Sequence, residues 1–139
     1  MERRIAELKV SEVMSKDLIC VAPEMRLSEL RQLFQDKDYN AFPVTVDGKL
    51  VGIVSKLDLM RIFAPGRGVT RADLLNTLLS EKVDDIMTGA VVSVGPDDDI
   101  ELAVQYMVEY RLRSLPVVAK QQVVGMVSRG DLMKHLTIG

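Results

Sequence analysis

Gly52-Ile53-Val54-Ser55-Lys56-Leu57-Asp58-Leu59 and Gly125-Met126-Val127-Ser128-Arg129-Gly130-Asp131-Leu132 carry the same residue types in the same order, 73 positions apart. In each, a run of β-branched and apolar residues stops at a serine and gives way to Asp-Leu-Met. The pattern predicts a strand that passes into a helix at the serine, whose side-chain oxygen accepts from N–H groups that a first helical turn leaves unpaired. An aspartate three residues further on falls in that first turn, where a carboxylate complements the positive end of the helix dipole.

The offset of 73 extends outward in both directions without a gap. It relates Val10 to Val83, Met14 to Met87, Val21 to Val94, Pro23 to Pro96, Pro43 to Pro116 and Met60 to Met133. Of the 54 pairs formed by residues 10–63, 14 are identical, which marks an internal duplication. Each copy opens with a β-rich run, Leu18-Ile19-Cys20-Val21 or Val91-Val92-Ser93-Val94, stopped by proline. Apolar residues at helical spacing follow: Leu27, Leu30 and Phe34 in copy one, Ile100, Ala103, Val104 and Met107 in copy two. Phe42-Pro43-Val44-Thr45-Val46 and the strand to Ser55 flank Asp47-Gly48-Lys49, a hairpin turn with residues that tolerate positive φ. Copy two has Lys120-Gln121-Gln122 there, a poorer turn sequence.

The expected unit is therefore β-α-β-β-α, twice. Residues 1–66 hold copy one with an N-terminal helix and residues 83–139 copy two. Residues 67–82 are a linker helix, preceded by Ala64-Pro65-Gly66-Arg67-Gly68 and opened by Thr70 and Asp73 at capping-box spacing. About sixty residues are too few to bury a good core alone, so the fold class expected is α+β, with two pseudo-symmetric motifs packed face to face.

Composition narrows the function. The 139 residues are 47% hydrophobic and 27% charged, which suits a globular chain, and the net charge of −2 removes the broad cationic surface of a general nucleic-acid binder. One cysteine and one histidine leave no thiolate cage or disulfide, so no metal site is expected. No stretch approaches a bilayer span and the start lacks a signal-peptide core, so no membrane insertion and a cytoplasmic location are expected. No nucleophile, base and orienting group can be assembled, hence no enzymatic activity and no catalytic residue. Cys20 and His135 read as packing positions. Asp97-Asp98-Asp99 reads as the charged start of a helix and Arg129-Gly130-Asp131 as part of the repeat.

The strand-to-helix mouth does suggest chemistry. The glycine would let a ligand approach the strand backbone, the serine end of the helix favours phosphate, and Asp58 or Asp131 can accept from two vicinal ribose hydroxyls. The same residues would also serve as plain helix caps with no ligand. Copy two adds Arg113 and Arg129, whose guanidinium groups grip phosphate bidentately, where copy one has Asn40 and Lys56. Arg67 is a further candidate cation.

Val13-Met14, Val21-x-Pro23, Phe42-Pro43-Val44 and residues 52–59, with Ile86-Met87, Val94-x-Pro96, Leu115-Pro116-Val117 and residues 125–132, together resemble a tandem pair of cystathionine-β-synthase (CBS) motifs, a Bateman module. The resemblance covers residues 10–136. It implies a regulatory sensor of adenosine compounds (AMP, ADP, ATP or S-adenosylmethionine), with no cofactor beyond that ligand, acting on a regulated enzyme or transporter. Ser55, Lys56, Asp58, Ser128, Arg129, Asp131 and Arg113 would hold ribose and phosphate. By the same resemblance the adenine sits on segments of the opposite motif. Ser55 and Asp58 would join Thr88, Ala90, Val91 and Ser114-Leu115-Pro116, while Ser128 and Asp131 would join Asp17, Leu18 and Ala41-Phe42-Pro43. Leu57, Leu59, Met60, Ile62, Phe63, Leu132, Met133 and Leu136 exceed what one core-facing stripe needs, and such modules pair through these helices, so a homodimer is expected. The alternative is a ligand-free dimerisation or docking domain.

Overall fold

The computed structural model describes residues 7–63, 70–89 and 92–136; the linker motif with Arg67, and Ala90 and Val91, lie outside the described residues. The class is α+β. The chain divides into two compact units that cut across sequence order. The first holds the chain up to Ile19, the hairpin tip Gly48–Leu50 and everything from Val92 onward; the second holds Cys20–Asp47 and Val51–Val91. The head of each copy thus stands with the body of the other.

In the first unit, α1 (Val10–Val13) is a single turn whose entry is held by Lys9 N donating to Glu12 Oε2 at 2.7 Å. It is tied to copy two by Val10 N to Asp98 O (2.8 Å) and Ser11 N to Pro96 O (2.9 Å). Helix α6 (Ile100–Tyr110) buries Ile100, Ala103 and Met107, one stripe at helical spacing, and ends where Arg111 turns left-handed at φ 55°. The hairpin of β3 (Ser114–Ala119) and β4 (Gln122–Ser128) runs in antiparallel register from Ser114 opposite Ser128 to Ala119 opposite Gln122. Lys120 (φ 51°) and Gln121 (φ 70°) form a tight turn without glycine, each at a cost of about 1 kcal/mol. Helix α7 (Arg129–Leu136) follows. The core of this unit gathers Val10, Ile100, Ala103, Leu115, Val117 and Val127, none with any exposure.

The second unit repeats the plan. Helix α2 (Leu27–Asp36) buries Leu27, Leu30 and Phe34; β1 (Ala41–Val46) turns at Asp47 and Gly48, both at positive φ, into β2 (Lys49–Ser55). The Asp-Gly turn suits the twist of a two-residue hairpin. Helix α3 (Lys56–Met60) tightens into a 3-10 turn at Arg61–Phe63. Helix α4 (Arg71–Ser80) opens on the expected capping box, with Asp73 N to Thr70 Oγ1 and Thr70 N to Asp73 Oδ2 both 3.1 Å. The short α5 (Val83–Ile86) is the counterpart of α1, held by Val83 N to Met25 O (2.8 Å) and Asp84 N to Pro23 O (2.9 Å). Helix α5 is not foreseen from the sequence, because four residues carry no periodicity to read, and among the described residues the N-terminal helix expected of copy one is the single turn α1.

The opening strand of each copy is a correction to the sequence reading. Val21 makes a single parallel bridge to Val44, and Val94 one to Val117. Val21 N reaches Pro43 O (3.0 Å) and Thr45 N reaches Val21 O (3.0 Å), but the next rung on one side needs an N–H from Pro43 and on the other an N–H from Pro23. Proline has none, so the ladder stops at one residue. Pro96 and Pro116 confine Val94 in the same way.

Candidate functional site

Each unit holds one strand-to-helix mouth. At the end of β4, Ser128 N donates to Asp131 Oδ2 at 2.8 Å and Asp131 N donates to Ser128 Oγ at 3.1 Å. This reciprocal cap explains the Ser-x-x-Asp spacing and fixes the carboxylate at the mouth. Ser114 stands across from Ser128, and Arg129 N donates to Arg113 O at 2.9 Å. Ser15 bridges Met126, with Ser15 N to Met126 O at 2.8 Å, which brings the segment leading to Asp17 and Leu18 alongside β4. Ser128, Asp131, Ser114, Arg113, Asp17 and Leu18 therefore share one unit.

The mouth at the end of β2 is built alike. Asp58 N donates to Ser55 Oγ (3.1 Å), and Asp58 Oδ2 accepts from both Ser55 N (2.8 Å) and Ser55 Oγ (2.9 Å). Asp58 is 9% exposed and its Oδ1 accepts from Arg61 Nη1 at 3.3 Å. Lys56 N donates to Asn40 O (2.9 Å), next to Ala41, and Thr88 bridges Ile53. Sequence reading overlooks Arg61, although an aspartate and an arginine three apart on a helix were the available signal.

Several details depart from the sequence reading. The glycine of each motif is required by the chain itself: a Cβ at Gly125 would lie 2.8 Å from Met14 Sδ and 2.9 Å from Ser15 O, and one at Gly52 equally close to Met87 Sδ and Thr88 O. The pre-proline segments lie beside their own copy's serine, since an antiparallel hairpin sets the start of its first strand against the end of its second. Ser114-Leu115-Pro116 is thus placed with Ser128, and Ala41-Phe42-Pro43 with Ser55. Phe42, Pro43, Leu115 and Pro116 are buried, so only their backbone can face a ligand. Arg129 Nε is held by Leu112 O at 2.8 Å, and its side chain lines a groove of about 380 Å³ with Val104, Met107 and Leu132. Arg113 is exposed. Cys20 and His135, read as packing, are also exposed, His135 in the last turn of α7.

Among the described residues no group of three or more His, Cys, Asp or Glu could hold a metal ion, and no helix is long and apolar enough to cross a membrane.

Two α+β copies, each ending a hairpin at a serine whose helix carries a capping aspartate, define a duplicated strand-to-helix module with two like mouths. The chain belongs to the CBS domain family, whose pattern matches residues 10–65 and 83–138. It is similar to the CBS domain-containing protein YhcV of Bacillus subtilis, 30% identical over 88% of this chain and 81% of that one. It is also 30% identical to a homoserine O-acetyltransferase of Methanohalobium evestigatum over 90% of this chain but only 23% of the enzyme. The chain therefore spans less than a quarter of that relative. Among solved structures, CBSX2 in complex with AMP superposes with a TM-score of 0.79 at 26% identity, covering 92% of this chain and 95% of that one.

Proposed function

We propose that this chain is a regulatory module that binds an adenosine compound, of the AMP, ADP, ATP or S-adenosylmethionine class, and signals to a partner by a ligand-dependent change in conformation. The observation that carries the proposal is the Asp131 mouth: a carboxylate fixed by its own cap, beside the backbone of Ser114 and the Ser15-to-Leu18 segment. Such a carboxylate can accept both hydroxyls of a ribose, while strand backbone reads a base edge. The similarity to CBSX2, solved with AMP, supports the same ligand class. The module acts in the cytoplasm on an enzyme or transporter and has no chemistry of its own.

Calorimetric titration with AMP, ADP, ATP and S-adenosylmethionine tests this reading, alongside mass spectrometry of small molecules released on denaturation. A ligand that binds only the native state stabilises it by about 1.4 kcal/mol at tenfold excess over Kd. We expect at least one of the four to raise the melting temperature by several degrees; a temperature unmoved by all four at millimolar concentration favours the docking domain instead.

A specific observation favours self-association as part of the same function. Leu57 (58%), Met60 (63%) and Met133 (61%) are exposed on α3 and α7, more apolar surface than solvated helices ordinarily leave open. The module is expected to form a homodimer through these helices, and a monomer mass by light scattering at micromolar concentration would refute that.

A further inference from the structure

The two mouths share their caps but not the state of their carboxylates. Asp58 has both oxygens engaged: Oδ2 by the amide and hydroxyl of Ser55, Oδ1 by Arg61. Asp131 accepts on Oδ2 from Ser128 N alone, and Oδ1 has no partner among the described residues. Lys134 stands where Arg61 stands in copy one, yet makes no ion pair with Asp131 among the described residues. After Met60 the chain tightens into a 3-10 turn that begins at Arg61, whereas helix α7 stays α-helical through Lys134.

We propose that Arg61 makes the two mouths unequal, by occupying the Asp58 oxygen that a ribose hydroxyl would use and so holding that mouth to the weaker of the two affinities. The proposal rests on the reading above that these mouths receive a ribose. A ligand hydroxyl entering the Asp58 mouth must share Oδ1 with the guanidinium or displace it, whereas one entering at Asp131 finds an oxygen with no donor on it among the described residues. Lys56 N is bound to Asn40 O and Asp58 N to Ser55 Oγ, so neither of these first-turn donors needs Asp58 Oδ1. Arg61 is therefore a specificity residue acting through Asp58. Its side chain is 69% exposed, and its loss opens no cavity.

The test is AMP titration followed by amide NMR, which reports separately on Ser55–Asp58 and Ser128–Asp131. In an Asp131→Asn background, which weakens the Asp131 mouth while the Ser55–Asp58 amides report the other mouth separately, Arg61→Ala should tighten AMP binding at the Asp58 mouth about two- to fivefold, the worth of one partly exposed ion pair. With Asp131 intact, the same change should leave the Asp131 event unmoved. Arg61→Gln provides a second variant that keeps the side chain's bulk without its charge, and should give the same direction. Weaker AMP binding at the Asp58 mouth in Arg61→Ala would show that Arg61 grips the phosphate and would overturn the inference. An unchanged affinity would overturn it as well. If neither the wild type nor any variant binds AMP or S-adenosylmethionine, the sensor reading and this inference fail together, whereas wild-type binding at two equal sites defeats the inference alone.

Discussion

Replacing Asp131 with alanine is expected to weaken binding of the adenosine ligand about ten- to a hundredfold, equivalent to about 1.5–3 kcal/mol for a lost charged hydrogen bond. The carboxylate is held at the mouth by Ser128 N and keeps an oxygen free, so its removal takes away an acceptor that no neighbouring side chain replaces. Because Asp131 Oδ2 also accepts from Ser128 N in the cap of α7, alanine should lower fold stability by about 0.5–1.5 kcal/mol, which a ligand-free melt measures separately. Asp58→Ala should leave the tight event in place and alter only a weaker second one. Titrations in which Asp58→Ala abolishes the tight event while Asp131→Ala spares it would reverse the order of the two mouths. The order has two grounds. Arg113 and Arg129 accompany Asp131 in sequence, and the engagement of Asp58 by Arg61 adds a reason independent of arginine count. With Arg129 Nε committed to Leu112 O, Arg113 is the freer cation of the two.

The parts of this fold that sequence could reveal are those with a repeating signal. Leu27, Leu30 and Phe34, and Ile100, Ala103 and Met107, declare two helices by period, and all six are buried. Ser55 with Asp58 and Ser128 with Asp131 declare two caps by spacing, and both caps form. What resisted reading depends on partners distant in the chain. That Val21 pairs with only one residue follows from Pro43 and Pro23 acting on opposite sides of one bridge, which becomes visible only once the register is known. Gly52 and Gly125 looked like ligand clearances, whereas Met87 and Met14 fill the space above them, the heads of the opposite copies. Thr88 lies along β2 and the segment to Asp17 and Leu18 along β4, as the resemblance implied, whereas each pre-proline segment lies beside its own copy's serine, because an antiparallel hairpin sets the start of its first strand against the end of its second.

Phe42→Ala is expected to produce the largest loss of stability, about 3–5 kcal/mol for a buried aromatic cut to a methyl. Phe42 is 1% exposed, with its ring centroid 4.7 Å from that of Phe34 and 5.6 Å, edge-on, from that of Tyr39. These contacts bind α2 and the approach to β1 into one cluster, so removing the central ring leaves a cavity lined by two rings that have lost their partner. The position is not interchangeable between copies: its counterpart Leu115 is a fully buried aliphatic residue in a cluster against which Tyr106 packs, and Leu115→Ala should cost about 2–5 kcal/mol through cavity and transfer terms. Urea denaturation followed by near-ultraviolet circular dichroism separates the two. Phe42→Ala should lower the midpoint and also flatten the aromatic signal from Phe34 and Tyr39 before unfolding, whereas Leu115→Ala should lower the midpoint with that signal intact. A Phe42→Ala protein with a wild-type midpoint would mean that the ring cluster does not hold the second unit together, and the packing argument for its core would fall with it.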